Sequence, residues 1–457
     1  MEINYTKINE ESIYNDYLEV EDTADAADYL KNPSNFRSFK EGLTEMLKKT
    51  DYTTENKNVY QMSDYLYEQM KKINSSVTKD TVLSWFRGEH RPKINSESRK
   101  KMYEICFALH ADYQQTLWFF NHVYYDRAFN CHTINEAVFY YAFRKNISYQ
   151  EANEIIEEIN DTPSPCCPES QPEINNYTKY VKNQISEFQS TDELKHFLIY
   201  NKESFRSWNK SAFKTIKNLV KNLLGSPKKI KKIKEEIDKL RPKLRENEKE
   251  KISLKDLKTS DYNISKLNSE LNLNKSEFQN ECLLIRYIFY KAKQSSEPSR
   301  YLYACIQKTQ ISSNDFLLKQ MLTSSRLFYT KDDKKKEEIQ EIPDIVRNSF
   351  PTKKTLSDVL SDEKISTSQS YDAIRKMIVL LDFYRFWINI ELSGNTTNSR
   401  KDLPSIYADE TNYCLSLCGY DELTAVNPYD WIFLCSSNTD DPIEFFRSFI
   451  DDLLPSI

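Results

Sequence analysis

Glycine is nearly absent from this sequence, with only five among 457 residues. Sheet-rich folds with many tight turns depend on glycine where the backbone takes a positive φ, whereas helices joined by Asn, Ser and Pro do not. Aromatic residues make up 13% of the chain, far more than a disordered chain would carry. We therefore expect an all-α protein, and the chain length predicts roughly two to four domains.

The sequence has the composition expected of a cytoplasmic protein that does not contact a membrane. Residues 1–30 hold nine acidic residues against one lysine, which is not the basic and then apolar pattern of a secretory signal. The most apolar stretch, 377–390, contains Asp382 and Arg385 and falls short of the ~18 apolar residues of a membrane span. The nine cysteines form no disulfide framework, and four are predicted to be reduced core thiols: Cys106, Cys282, Cys305 and Cys435.

The net charge of −5 conceals strongly segregated segments. Residues 202–258 contain nineteen basic and eight acidic residues, whereas 402–457 contain eleven acidic residues and one arginine. Such asymmetry predicts either nucleic acid at the basic parts or contacts between acidic and basic segments. One hypothesis is that the acidic residues 1–30 fold over a basic patch and mask it until a partner displaces them.

Composition and helical periodicity divide the chain into four regions and two linkers. Four prolines within residues 162–172 mark the first linker, and the charged run 331–338 marks the second. The predicted divisions are an acidic arm 1–30, a helical domain 31–160, a Pro-rich linker 161–175, a basic helical domain 176–330, a charged linker 331–341 and an acidic C-terminal helical domain 342–457.

Within residues 31–160, the segment 77–92 carries the most specific pattern. Thr78 is suited to cap a helix over 79–87, which Gly88 would end. Val82 and Trp85 lie three residues apart and can share the buried face of that helix. From residue 71 to residue 101 there are nine basic and three acidic residues, a balance suited to phosphate contacts.

This pattern resembles the recognition-helix region of lambda-repressor-like (XRE-type) helix-turn-helix domains. In that family a hydroxyl residue opens the helix, a β-branched residue and a Trp bury one face, and an Arg-Gly pair and a basic turn lead to Pro. The corresponding residues here are Thr78, Val82, Trp85, Arg87-Gly88 and Arg91-Pro92. The C-terminal segment 418–435 further resembles that of uncharacterised Firmicutes proteins that carry such a domain.

The resemblance implies that residues 31–160 bind double-stranded DNA, with the helix 78–87 in the major groove. The residues expected to contact DNA are Lys79, Thr81, Ser84, Arg87, His90, Arg91 and Lys93. The preceding helix, predicted over 64–73 after a polar loop 50–62, departs from the family. Ser63-Asp64 replaces the Gln that often opens it, Met70 replaces its small residue, and Asp64 would repel phosphate.

A weaker copy of the pattern lies near the C-terminus. Residues 352–356 repeat 78–82 at an offset of 274, and 374–381 echo part of 98–109. This copy lacks the Trp and the Arg-Gly pair and lies in an acidic region. We therefore predict a degenerate structural repeat that does not bind DNA.

The sequence contains no recognisable catalytic motif, and we expect a non-enzymatic protein without cofactor or metal. A Gly-rich phosphate loop, Gly-x-Ser-x-Gly and His-Glu-x-x-His are all missing. Four histidines between His90 and His132 are spaced by 20, 12 and 10 residues, which fits no metal motif and predicts exposed polar positions. Cys414, Cys418 and Cys435 could bind a metal together, but packing in a hydrophobic core is the favoured interpretation.

Three functional hypotheses follow. The first is a DNA-binding transcriptional regulator whose helical remainder self-associates or binds a signal or a protein partner. The second is a protein-interaction scaffold, and the third is a phage-defence or mobile-element component that binds nucleic acid without regulating transcription. Segment 202–258 is either a solvated helical face or, with Phe205, Trp208 and Phe213 as stacking surfaces, a groove for single strands.

Overall fold

The computed structural model describes residues 23–32, 35–50, 52, 57–92, 96–163, 177–203, 205, 210–226, 228, 280–294, 371–394 and 400–452. These residues form helices and no strand, so the all-α prediction is confirmed. None of the described helices has the length and apolar composition needed to cross a membrane.

The described helices fall into two packing groups. The first comprises α2 (Phe39–Lys49), α3 (Val59–Lys72), α4 (Lys79–Arg87), α5 (Ser96–Ala108), α6 (Tyr113–Phe119) with a π-helical turn Phe120–Tyr124, α7 (Ile134–Lys145), α8 (Tyr149–Asp161), α9 (Tyr177–Glu187) and α10 (Thr191–Tyr200). The second comprises α1 (Thr23–Lys31), α11 (Lys210–Leu224), α12 (Leu283–Gln294), α13 (Tyr371–Ser393), α14 (Leu403–Leu417) after a 3₁₀ turn Arg400–Asp402, α15 (Pro428–Ser437) and α16 (Pro442–Asp452).

Local capping decides where several helices of the first group begin. Ser38 and Glu41 form a capping box at the start of α2, as Ser148 and Glu151 do for α8. The helix predicted over 79–87 is confirmed at both ends: Thr78 caps it, and Gly88 ends it at a φ of 76°.

The helix predicted over 64–73 begins five residues earlier than expected. Asn58 and Gln61 form a reciprocal capping box, so α3 starts at Val59 and the preceding loop is shorter. Gln61 consequently lies in the first turn of α3, whereas Ser63 is buried in its second turn. The predicted start of the helix was too late because it was taken from apolar periodicity. Asn58 lies in a polar stretch where no such periodicity is seen.

The first hydrophobic core extends from Phe39 to Phe205. It includes Val181 and Ile185 of α9, and Leu194 of α10. The sequence had assigned these two helices to a basic domain 176–330. Their apolar faces instead pack on α7 and α8.

The second core is built around α13, which has 23 residues and is buried on most sides. Helix α1 joins this core although it is separated from it in sequence: it packs along α16, and Tyr29 stacks on Trp431 with ring centroids 5.0 Å apart. The described part of the acidic arm, residues 23–30, therefore packs on the C-terminal helices, whereas residues 1–22 lie outside the described residues and the masking hypothesis stays a prediction.

The proposed repeat is described only in part. Residues 374–381 lie in the 23-residue α13, whereas the segment that they echo lies in the 13-residue α5. Residues 352–356 lie outside the described residues, and the repeat stays a prediction. Also outside them are the linker positions 164–175, the charged linker 331–341, Trp208 and Cys305. Cys106, Cys282 and Cys435 are buried and form no disulfide, as predicted.

Candidate nucleic-acid interface

Helices α3 and α4 are joined by a turn that the rest of the first group holds in place. Asn74 takes a positive φ of 58°, and the backbone N–H of Val77 donates to Ser75 Oγ at 3.3 Å. Ser75 Oγ donates in turn to Oε2 of the buried Glu104 on α5, at 2.6 Å. The other oxygen of Glu104 accepts from the Tyr149 hydroxyl at 3.0 Å. The angle between α3 and α4 is therefore anchored through a buried carboxylate.

The inward face of α4 is apolar and fully packed. Val82, Trp85 and Phe86 are all buried. The Trp85 ring meets Phe39 of α2 edge to face, with centroids 5.9 Å apart. Trp85 is thus a core residue, and it orients α4 without being available to a ligand.

The outward face of α4 carries most of the side chains expected to contact DNA. Lys79, Arg87 and His90 are exposed, whereas Thr81 and Ser84 are partly buried. The hydroxyls of these two residues make local hydrogen bonds: Thr81 Oγ1 lies 2.8 Å from Thr78 Oγ1, and Ser84 Oγ donates to the Thr81 carbonyl at 2.8 Å. Lys93 lies outside the described residues.

Lys79, at the start of α4, forms an ion pair with Asp64 of α3. Lys79 Nζ lies 2.8 Å from Asp64 Oδ1, and both side chains are more than half exposed. The hydrogen bond to Asp64 and its negative charge raise the pKa of Lys79. Asp64 therefore occupies the place in front of Lys79 that a phosphate oxygen would need.

Arg87, at the end of α4, also contacts a residue of α3, the exposed Tyr60. Arg87 donates from Nη2 to the Tyr60 hydroxyl at 2.9 Å, and its guanidinium lies 5.4 Å from the centre of the Tyr60 ring. Glu89 lies 3.5 Å from Nη1 of the same guanidinium. Sequence reasoning missed Tyr60, and the Asn58–Gln61 capping signal is what could have placed it at the start of α3.

Arg91 does not share this outward face, contrary to the expectation that it contacts DNA together with Lys79 and Arg87. Its guanidinium donates to the Val123 carbonyl at 2.8 Å and lies 5.0 Å from the centre of the Tyr125 ring. Burial lowers the pKa of Arg91. Val123 lies in the π-helical turn at the end of α6, where a carbonyl lacks its usual helical partner and accepts from elsewhere.

Other candidate groups proved to be structural. Phe205 is buried in the first core and Phe213 is partly buried against the second, so Phe205 is not available for stacking. Trp208 lies outside the described residues, and the single-strand groove suggested for segment 202–258 stays a hypothesis. Burial raises the pKa of Cys414 and of Cys435 to about 12, as expected for core thiols. Within the described ranges, no group of three or more His, Cys, Asp or Glu side chains is arranged to hold a metal ion.

Comparison with models of protein families, with curated proteins and with solved structures found no match for this chain. The candidate interface therefore depends on the residues and contacts of α3 and α4 themselves.

Proposed function

We propose that this protein is a sequence-specific DNA-binding regulator that inserts α4 into the major groove. The observation that carries the proposal is the outward face of α4, which presents Lys79 at one end and Arg87 at the other while Trp85 fixes the helix from behind. A nine-residue helix is about 13 Å long, and the major groove is about 12 Å wide. The XRE-type pattern of residues 77–92 supports the same function.

Arg87 is suited to read a base. Arginine has five N–H donors in a planar fork and pairs with the O6 and N7 atoms of guanine. The stacking on Tyr60 and the hydrogen bond to its hydroxyl restrict the orientation of this fork before DNA arrives. Less side-chain entropy is then lost when the guanidinium meets a base.

Lys79 is suited to a phosphate, provided that it exchanges partners. Water screens an exposed ion pair, so Lys79 can leave Asp64 at small cost. The displaced carboxylate then lies close to the DNA backbone and reduces affinity. Binding should consequently be weaker than for a helix whose lysine is unpaired.

The test is selection of DNA fragments by the purified full-length protein at two salt concentrations. Arg87→Ala is expected to lose the enriched motif, since a good bidentate pair contributes about 1–3 kcal/mol to base discrimination. Lys145→Ala, which removes an exposed lysine from α7, is the matched control and should retain the motif. If no motif is enriched, or if Arg87→Ala enriches it equally well, the proposal is wrong.

The second candidate function is a protein-interaction scaffold, and the same face carries the observation that favours it. Asp64 and Glu89 neutralise its two cations, and Tyr60 is 57% exposed beside them. An aromatic surface with paired charges suits a protein partner, because Tyr and Arg are enriched at the centres of interfaces. Salt distinguishes the candidates: phosphate contacts lose affinity steeply as salt rises, whereas apolar protein contacts do not.

A further inference from the structure

Only four large apolar side chains are exposed in the described part of the chain, and two of them lie together on α14. Tyr413 is 67% exposed and Leu417 is 44% exposed. They lie four residues apart, so they share one face of the helix. Asp409 lies four residues before Tyr413 on the same face and is also exposed. The outward face of α14 therefore begins with a negative charge and ends with an apolar surface.

Helix α11 adjoins the apolar end of this face and carries the opposite charge. Its fifteen residues include four lysines and no acidic residue. Three of these lysines are exposed at helical spacing and form one positive face: Lys214, Lys217 and Lys221. Cys418, the residue after Leu417, donates from Sγ to Oγ1 of Thr215 at 3.3 Å. Because Thr215 is the residue after Lys214, the positive face of α11 lies close to Leu417.

The two helices together form a surface that we call the α11–α14 face. It consists of a negative end, an apolar centre and a positive end: Asp409, then Tyr413 and Leu417, then Lys214, Lys217 and Lys221. The charges nearest the centre are available to a partner. Lys214 and Asp409 form no ion pair with any residue in the described ranges. Glu410, which follows Asp409, is by contrast paired with Arg385 at 2.9 Å.

The order of these charges favours a second copy of this chain as the occupant. Helix α14 contains two acidic residues and no basic residue, whereas α11 is purely basic in its charged residues. A nucleic acid would be repelled by the negative end, and a uniformly basic peptide would be repelled by the positive end. When two copies are related by a twofold axis, each negative end meets a positive end. The α11–α14 face is therefore complementary to itself.

We propose that two copies of this chain form a twofold-symmetric dimer through the α11–α14 face. Tyr413 and Leu417 of one copy pack against the same residues of the other at the centre. Lys214 of each copy pairs with Asp409 of the other. Two exposed apolar side chains per copy form a small centre, so we expect a dissociation constant on the order of micromolar. This surface is separate from the outward face of α4, and the proposal does not depend on DNA binding.

The first test is sedimentation equilibrium of the full-length protein, without DNA, over a series of concentrations that spans the micromolar range. We expect a monomer–dimer equilibrium. The double variant Tyr413→Ser/Leu417→Ser should weaken the dimer at least about tenfold, because apolar side chains at the centre of an interface contribute most of its affinity. The matched control is Tyr200→Ser, which removes another exposed tyrosine, on α10, and should leave the dissociation constant unchanged.

The second test exchanges the charges. Lys214→Glu alone and Asp409→Lys alone should each weaken the dimer, because like charges then meet at both symmetric contacts. An equimolar mixture of the two variants should dimerise more tightly than either one, because opposite charges face each other again. A substitution that merely damages the fold cannot give this restoration. A monomer at every concentration, a dimer indifferent to Tyr413→Ser/Leu417→Ser, a mixture no tighter than its components, or open-ended assemblies would each overturn the proposal.

Discussion

The surface formed by α3 and α4 and the interior around α13 use the same kinds of charged residue in opposite ways. Lys79 and Asp64 meet at the surface with 57% and 53% of their side chains exposed. Arg375 and Asp430 meet with 10% and 0% exposed. The first pair can exchange its partners for a ligand at small cost, whereas the second cannot lose a partner without leaving a buried charge.

The difference follows from the two helices that carry the cations. Helix α4 has nine residues and only one buried face, so its charged side chains point to solvent. Helix α13 has 23 residues and is enclosed by α11, α12, α14, α15 and α16. Charged residues on such a helix must find partners inside, as Arg375 does with Asp430 and Asp382 with Thr411. Ion pairing is thus adjustable in one region and obligatory in the other.

The largest effect is expected from breaking the buried pair. Asp430→Asn leaves the guanidinium of Arg375 without its counter-charge, which should lower the free energy of unfolding by about 3–5 kcal/mol. Urea denaturation followed by circular dichroism measures the change. Asp440→Asn removes the charge of a fully exposed partner of Arg400 and should leave the free energy of unfolding nearly unchanged. Similar losses in both variants would erase the distinction drawn between buried and surface pairs.

A second effect is expected from His132, which sequence spacing had suggested to be exposed. Burial lowers its pKa from 6.5 to about 4. Between these pH values the unfolded chain binds a proton that the folded protein does not. Stability should therefore fall as the pH falls from 6.5 towards 4, by about 3 kcal/mol for this group.

Melting temperatures recorded across this pH window check the expectation. His132→Gln should flatten the pH dependence, whereas His90→Gln, at an exposed position after α4, should leave it intact. An unchanged slope in His132→Gln would assign the acid sensitivity to other groups. It would also show that the folded protein holds the charged form of His132 without the penalty expected from burial.

A third effect concerns the packing behind the candidate interface. A Cβ placed on Gly42 of α2 would lie 2.3 Å from Cγ1 of Val123, so Gly42→Ala forces the helix away from the π-helical turn. Overpacking of this kind should destabilise the protein by about 1–3 kcal/mol. Chemical denaturation measures the loss, and the double variant Gly42→Ala/Val123→Ala should recover part of it. If the double variant is no more stable than Gly42→Ala, a cause other than this contact is responsible.

The smallest effect on stability, and the most informative for function, is expected from Asp64→Asn. Loss of this exposed, water-screened ion pair should leave the free energy of unfolding nearly unchanged. If α4 binds DNA, affinity measured by fluorescence anisotropy at low salt should rise several-fold, because Lys79 is released and a repelling charge is removed. Glu157→Gln should leave the affinity unchanged. Weaker binding by Asp64→Asn would mean that the pair positions Lys79 instead of restraining it.

Much of the candidate site could be predicted from local sequence. Thr78 and Gly88 bound α4 as expected, and Val82 and Trp85 are buried as their spacing indicated. These features follow from capping, backbone conformation and helical periodicity, which act over a few residues. The direction of Arg91 could not be predicted, because its acceptor at Val123 lies 32 residues away in sequence.

The sequence by itself determined that this protein is helical and that α4 has one apolar and one polar face. Tertiary structure alone decided which helices share a core. It placed α1 beside α16, α9 and α10 with the first group, and Asp64 in front of Lys79. The physical reason is the sequence distance over which each interaction acts. Helix caps and apolar periodicity involve neighbouring residues, whereas the partner of an apolar face or of a charge depends on how distant segments pack.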